Sequence, residues 1–194
     1  MRKLVVTEFL SLDGVMQAPG SPEEDTEGGF RQGGWAGPFI DEVFGAEAVA
    51  GMTETDAQLF GRKTYEIMAA YWPTAPSDDP YAKHLNSVRK YVASRTLDRV
   101  DWHNSTLLEG DVATAVAELK EQPGGNISVL GSGDLVQTLI EHDLVDEYSL
   151  ALFPIALGSG KRLFREADRT RTLTLLDAKP TTTGGLILRY APAH

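Results

Sequence analysis

The sequence predicts an α/β fold: a mostly parallel central sheet with helices on both faces and an antiparallel edge at its C-terminus. Three observations predict it. Short apolar, β-branched runs alternate with segments of helical spacing from Lys3 to Glu141. Three of these runs end in glycine or a small hydroxyl residue, followed at once by a helix start or a turn. The last two runs flank Thr183-Gly184-Gly185, a hairpin signal, so the C-terminal strands are expected to be antiparallel.

Lys3–Leu10 is rich in β-branched and aromatic residues and reads as a buried strand, ending at the Asp13-Gly14 turn. Residues 17–38 hold six of the nineteen glycines and three of the ten prolines, which makes a long surface loop. Loops of that length are usually functional or disordered, and Phe30, Trp35 and Phe39 argue for order because large apolar groups cover something. Phe39–Ala50 has helical spacing, Ala57–Phe60 is a short strand, and Thr64–Ala70 is a helix. Residues 73–80 form a proline-rich loop, and Lys90–Ala93 is a strand. Val112–Lys120 is a helix capped by Asp111 and stopped by Pro123-Gly124-Gly125. Ile127–Leu130 is a strand, Leu135–Glu141 a helix and Glu147–Ile155 a long strand; Leu173–Ala178 and Leu186–Ala191 form the hairpin. No repeat occurs and no linker is long enough to separate two domains, so 194 residues read as one domain.

Composition narrows the chemistry. Cysteine is absent, which removes disulfides, thiolate metal sites and cysteine nucleophiles together. The four histidines are scattered without an HExxH pattern, so no metal site is expected. Met1-Arg2-Lys3 followed by a short apolar run is neither a signal peptide nor a membrane span, so the expected compartment is the cytoplasm. The formal net charge of −10 disfavours nucleic acid and anionic membranes as partners. Much of it lies between Ser21 and Phe60, where nine acids face one base, Arg31. Basic residues cluster at Arg62-Lys63 and at Arg89-Lys90-Arg95, a pattern that suits a small anionic ligand better than a polyanion.

The three strand-to-turn junctions are Phe60-Gly61-Arg62-Lys63-Thr64, Val92-Ala93-Ser94-Arg95-Thr96 and Leu130-Gly131-Ser132-Gly133-Asp134. Carboxyl ends of parallel strands face one crevice, helix starts there offer free N–H groups to a phosphate, and glycine admits an anion close to the backbone. Any one junction alone is also what an ordinary capped turn looks like; three together point to a phosphate-bearing ligand. Named motifs fail. The third glycine of a dinucleotide fingerprint is replaced by Val136. Gly158-Ser159-Gly160-Lys161 resembles the end of a Walker loop, but Ile155 stands where its first glycine belongs and Arg162 where Ser or Thr belongs. No GxSxG elbow occurs.

Taken in order, these junctions resemble the dihydrofolate reductase-like superfamily. Ser11-Leu12-Asp13-Gly14, Asp56-Ala57, Phe60 through Glu66, Ser94-Arg95-Thr96, Gly131-Ser132-Gly133, Leu144 through Glu147, Phe153-Pro154, Leu157 through Gly160 and Leu163-Phe164 recur in that order. The chain is most similar to the riboflavin-pathway deaminase-reductase C-terminal domain and its stand-alone bacterial relatives, over nearly its whole length. The resemblance implies a three-layer reductase domain spanning residues 1–194, NADPH as cofactor and a homodimer. Gly61, Arg62, Lys63 and Thr64 would hold cofactor phosphates. Ser94, Arg95 and Thr96 would surround the adenosine 2′-phosphate, by charge-assisted bonds that Arg95 supplies. Gly131, Ser132, Gly133, Asp134 and Leu135 would lie along the pyrophosphate.

The resemblance also implies a substrate side. Thr7–Phe9 and the Ser11–Met16 turn would border the nicotinamide; Glu8, Phe9, Asp13 and Met16 from these segments, with Trp35 of the long loop and Phe153, are the expected pocket residues. Folate-reducing members carry a carboxylate on the first helix; Asp41 and Glu42 lie in that stretch. Asp41, one residue after Ile40 and three before Phe44, is the candidate acid. Riboflavin-pathway members usually have lysine directly after Ser-Leu-Asp-Gly, and here it is Val15. Trp35 or Phe30 is expected either to pack over or near the substrate pocket and exclude water, or to plug a satellite cluster under the long loop. The expected function is NADPH-dependent reduction of a small heterocycle, pteridine- or pyrimidine-like. The alternative is a nucleotide-binding protein without turnover.

Overall fold

The computed structural model describes residues 1–166 and 169–193. The strands are β1 (Leu4–Ser11), β2 (Thr55–Gly61), β3 (Arg89–Ala93), β4 (Ser105–Leu107), β5 (Asn126–Leu130), β6 (Glu147–Phe153), β7 (Leu173–Pro180) and β8 (Leu186–Pro192). The helices are α1 (Glu42–Glu54), α2 (Arg62–Tyr71), α3 (Pro80–Ser87), α4 (Val112–Glu121) and α5 (Gly133–Glu141). The eight-stranded sheet has the order β4-β3-β2-β5-β1-β6-β8-β7. β4, β3, β2 and β5 pair in parallel, whereas β8 is antiparallel to both β6 and β7. The predicted parallel sheet with an antiparallel edge is what the chain adopts.

The chain forms two compact units. The first comprises Met1–Val5 and Glu47–Val145, the second Val6–Ala46 and Asp146–His194. In the first, the short apolar strands β2, β3 and β5 bury Leu59, Phe60, Val92, Ile127 and Val129 almost completely. Phe60, Tyr65, Leu85, Val92 and Trp102 form one cluster, with Phe60 stacked on Trp102. Helix α3 starts at Pro80, the last residue of the predicted proline-rich loop, and occupies residues 81–87, where the sequence predicts no element. Asp79 caps it by accepting from the N–H groups of Tyr81 and Ala82, and Pro80 opens its first turn. Asp-Pro ahead of Tyr81, Ala82 and Leu85 is the start signal that marks it.

Buried Lys90 belongs to the same unit. Its ammonium donates to the carbonyls of Leu85 (2.7 Å) and Val88 (2.8 Å) at the end of α3 and lies 4.6 Å from the centre of the Trp102 ring. Carbonyl ends of helices favour a cation, which is why a lysine is tolerated there without a carboxylate. Burial nevertheless pulls its pKa down to about 8.

In the second unit, residues 17–38 are an ordered loop. Phe30 and Trp35 are buried in a cluster with Val15, Ala18, Ala36, Ala151, Phe153 and Leu157. The hairpin turn falls at the predicted place: the Thr181 N–H donates to Gly185 O at 2.9 Å. Leu175, Ala178 and Pro180 of β7 stand beside Tyr190, Leu188 and Leu186 of β8, which stand beside Tyr148, Leu150 and Leu152 of β6. Paired residues project to one face, so these nine make an apolar face without a charge. Leu175 is 51% exposed and Leu186 39%. Among the described residues no helix is long and apolar enough to cross a membrane.

Candidate functional site

All three glycine or serine junctions lie in the first unit, at the carboxyl ends of neighbouring parallel strands. β2 runs between β3 and β5, with Gly61 level with Ala93 and Leu59 level with Val129. Two of the junctions are stitched to each other. The Gly61 N–H donates to the Ser132 hydroxyl (2.9 Å), and the Ser132 N–H donates to the Thr64 hydroxyl (2.9 Å). Ser132 also donates to Leu130 O at 3.2 Å. Making these bonds holds Ser132 in the left-handed region at φ 61° and ψ 41°, a conformation non-glycine residues occupy at a cost. Gly131 precedes it at φ 60°, and a Cβ there would lie 3.2 Å from the Thr64 hydroxyl. Glycine is favoured here for both conformation and closeness.

The stitch leaves two helix starts side by side without side-chain caps. Neither Gly61 before α2 nor Ser132 before α5 supplies a capping side chain. α3 and α4, by contrast, are capped by Asp79 and Asp111, whose carboxylates accept from first-turn N–H groups. First-turn N–H groups without a cap are donors for an anion. Arg62 is drawn along the helix surface by Glu66 at 3.1 Å, Lys63 is exposed, and Leu135 is buried in the core rather than turned outward. Asp134 is exposed in the first turn of α5. At the third junction the Ser94 hydroxyl accepts from the N–H groups of Thr96 (3.1 Å) and Leu97 (3.0 Å). That turn leaves Arg95 and Thr96 exposed at its tip. Arg95 has no ion-pair partner among the described residues.

The predicted substrate-side residues lie in the second unit. Phe153, at the end of β6, is surrounded by Phe9 (centroids 5.6 Å apart), Trp35 (5.9 Å), Phe39 (6.0 Å) and Phe44 (6.1 Å). Phe9 also meets Phe44 edge to face at 5.1 Å. Glu8 and Met16 are buried. Val15 is fully buried, and its side chain fills the space that a Cβ on Gly160 would need.

Two of the predicted site carboxylates, Asp41 and Asp13, are occupied. Asp41 Oδ2 accepts from the Thr182 hydroxyl (2.6 Å) and from the N–H groups of Thr182 (2.6 Å) and Thr183 (3.2 Å). Its Oδ1 accepts from the Phe44 N–H at 2.9 Å. The Thr182 hydroxyl, followed by the Phe44 N–H and the other two donors, holds its pKa down to about 2. Asp13 accepts from the Ser11 hydroxyl (2.7 Å) and from the N–H groups of Leu157 (3.0 Å) and Gly158 (2.8 Å). Those bonds, the Ser11 hydroxyl foremost, hold it likewise at about 2. A carboxylate so engaged is an anchor, poorly suited to giving up a proton. Glu42, the other acid of the pair, is exposed.

Sequence reasoning missed what ties the long loop down. Gln17 is buried: its carbonyl accepts from Trp35 Nε1 (2.8 Å), its side-chain oxygen accepts from the Lys161 N–H (3.0 Å), and its amide donates to the carbonyls of Asp25 and Glu27. Lys161 reaches the carboxylates of Asp25 (2.6 Å) and Glu27 (2.5 Å). Gly158 through Lys161, which read as a broken phosphate loop, is therefore the anchor of residues 17–38.

The sequence profile of the RibD C-terminal domain matches residues 2–187. Bacillus subtilis (strain 168) YyaP, an uncharacterized protein, is 30% identical over 142 residues, covering 72% of this chain and 75% of YyaP. A pyrimidine reductase-like protein of Corynebacterium diphtheriae superposes over 100% of this chain and 92% of its own, with a TM-score of 0.68 at 12% identity. A diaminohydroxyphosphoribosylaminopyrimidine deaminase/5-amino-6-(5-phosphoribosylamino)uracil reductase of Thermotoga maritima superposes over 99% of this chain and 57% of its own, with a TM-score of 0.64 at 11% identity.

Proposed function

Because the chain belongs to the RibD C-terminal domain family, we propose that it is an NADPH-dependent reductase of a small heterocycle. The observation that carries this reading is the pair of uncapped helix starts at Gly61 and Ser132, stitched together within the first unit. The first-turn N–H groups of α2 and α5, with Lys63 and Arg62, suit the pyrophosphate. Arg95, Thr96 and the Ser94 hydroxyl suit the 2′-phosphate, which favours NADPH over NADH. Bound there, NADPH would supply the hydride. In the second unit, Phe9, Phe39 and Phe44 offer ring surface to a flat substrate, and Asp13 and Asp41 hold the surrounding loops. Proton delivery is assigned to neither carboxylate.

The chain would work as a homodimer. Its support is the charge-free face of β6, β8 and β7, which leaves Leu175 and Leu186 substantially exposed; apolar patches of that kind mark association surfaces.

Fluorescence titration with NADPH and NADH, followed by an oxidation assay over a panel of heterocycles, tests the reading. Binding of NADPH at least tenfold tighter than NADH, with turnover on one member, is the expected result. Binding without turnover on any ring would favour a nucleotide-binding role, and no binding would overturn both.

A further inference from the structure

The second unit combines aromatic rings with acids. Phe9, Phe39 and Phe44 are only partly buried where they meet Phe153, so ring surface remains for stacking. These rings come from residues 6–46, in which eight carboxylates accompany one base, Arg31.

Several groups of this unit that could receive a phosphate are already taken, although Arg31 is exposed. The Leu157 and Gly158 N–H groups donate to Asp13, and those of Thr182 and Thr183 donate to Asp41. The start of α1 donates to Asp41 as well, through Phe44. In each case the chain's own carboxylate is the anion in the cradle. Lys161 is held by Asp25 and Glu27, Arg162 by the carbonyl and carboxylate of Asp13, and Arg189 by Glu147. A phosphate added among these groups would compete with the carboxylates that already accept from them. It would meet like charge, which costs affinity.

We propose, on the reading that this unit takes the heterocycle, that the heterocycle carries no phosphate: it is a flat, neutral or cationic ring. The internal carboxylates at positions 13 and 41 act as specificity determinants against phosphorylated relatives of the same ring.

The test is direct binding by calorimetry of the full chain, with and without NADP+, to matched pairs that differ by one phosphate. Riboflavin and FMN, uridine and UMP, and a 6-ribosylaminopyrimidine and its 5-phosphate are suitable. At least one unphosphorylated ring should bind, and its phosphate should bind at least about tenfold more weakly, a difference of about 1.4 kcal/mol. That handicap should shrink as salt rises from about 0.05 to 0.5 M, because like-charge repulsion is screened whereas a steric clash is not. Equal or tighter binding of the phosphorylated member overturns the proposal, as does a handicap indifferent to salt or the binding of no unphosphorylated ring. NADPH titrated alone reports on the reductase reading separately: a chain that binds NADPH but prefers the phosphorylated ring refutes this inference and leaves that reading standing.

Discussion

Ser132→Ala is the substitution that most directly probes the stitched helix starts. The hydroxyl accepts the Gly61 N–H at 2.9 Å and donates to Leu130 O at 3.2 Å. Alanine removes the acceptor and leaves a half-buried N–H at the head of α2 without a partner, which costs about 1–3 kcal/mol. For a chain of this size each kcal/mol moves Tm by roughly 2–4 °C, so Tm should fall by about 2–12 °C. Ser132→Gly loses the same bond but relieves the left-handed backbone at φ 61°. That relief is worth about 1–2 kcal/mol, less about 0.5–1 kcal/mol for glycine's extra freedom in the unfolded chain. The glycine variant should therefore be more stable than the alanine variant by up to about 1.5 kcal/mol in urea unfolding. NADPH affinity should nevertheless fall in both, because each keeps only the backbone half of the stitch, from the residue 132 N–H to the Thr64 hydroxyl. Wild-type stability and wild-type NADPH affinity in Ser132→Ala would refute the stitch as the organiser of the site.

Four further outcomes are expected. Arg95→Ala should weaken NADPH binding by about 1.5–3 kcal/mol while leaving NADH nearly unchanged in the same titration, as loss of one charged hydrogen bond predicts; equal losses would move Arg95 away from the 2′-phosphate. Asp41→Asn should lower stability and leave NADPH affinity intact. Because the Asp41 pKa is depressed in the fold to about 2, its contribution is present above pH ~4 and lost as pH falls toward 2, so the variant should show a flatter acid unfolding profile there. Lys90 carries the opposite sign. Its folded pKa of about 8 lies below the ordinary 10.5, so the cost of the buried charge is present below pH 8 and is relieved as pH rises toward 10.5. Wild-type stability relative to Lys90→Met should then increase across that window. Leu175→Asp should shift sedimentation toward the monomer without unfolding the chain, if the face of β6, β8 and β7 is the dimer surface.

Elements with strong local signals were legible. The parallel strands announce themselves as short apolar runs, and the hairpin by Thr183-Gly184-Gly185, because each depends on residues close in sequence. β4 was not legible: Ser105–Leu107 is three residues long and gains its place only by pairing with β3. The start of α1 was read at Phe39, three residues before Glu42. The apolar residues at 39 and 40 suit either a helix or the short turn over Gly37–Phe39 that the chain makes. The periodicity there cannot distinguish a helix from the cap that precedes it.

At the site, the sequence could place Gly61, Ser94 and Ser132 at strand ends but could not show what their hydroxyls and N–H groups do. The bond from Ser132 to Thr64 spans 68 residues, and the one from Thr182 to Asp41 spans 141. The same limit explains Asp41. Residue type and position beside an apolar stripe made it a plausible acid, since a carboxylate at a helix start can serve as proton donor, cap or anchor. Its chemistry is decided by the donors that reach it. With the hydroxyl and N–H of Thr182 on one oxygen and the Phe44 N–H on the other, removing its charge breaks the tie between the start of α1 and the 181–185 turn. A group that must stay ionised to hold the second unit's aromatic wall in place is badly placed to titrate during turnover. A substrate that arrives already protonated, or draws its proton from water, would relieve that wall of the task. This is the chemistry that a neutral or cationic ring makes available.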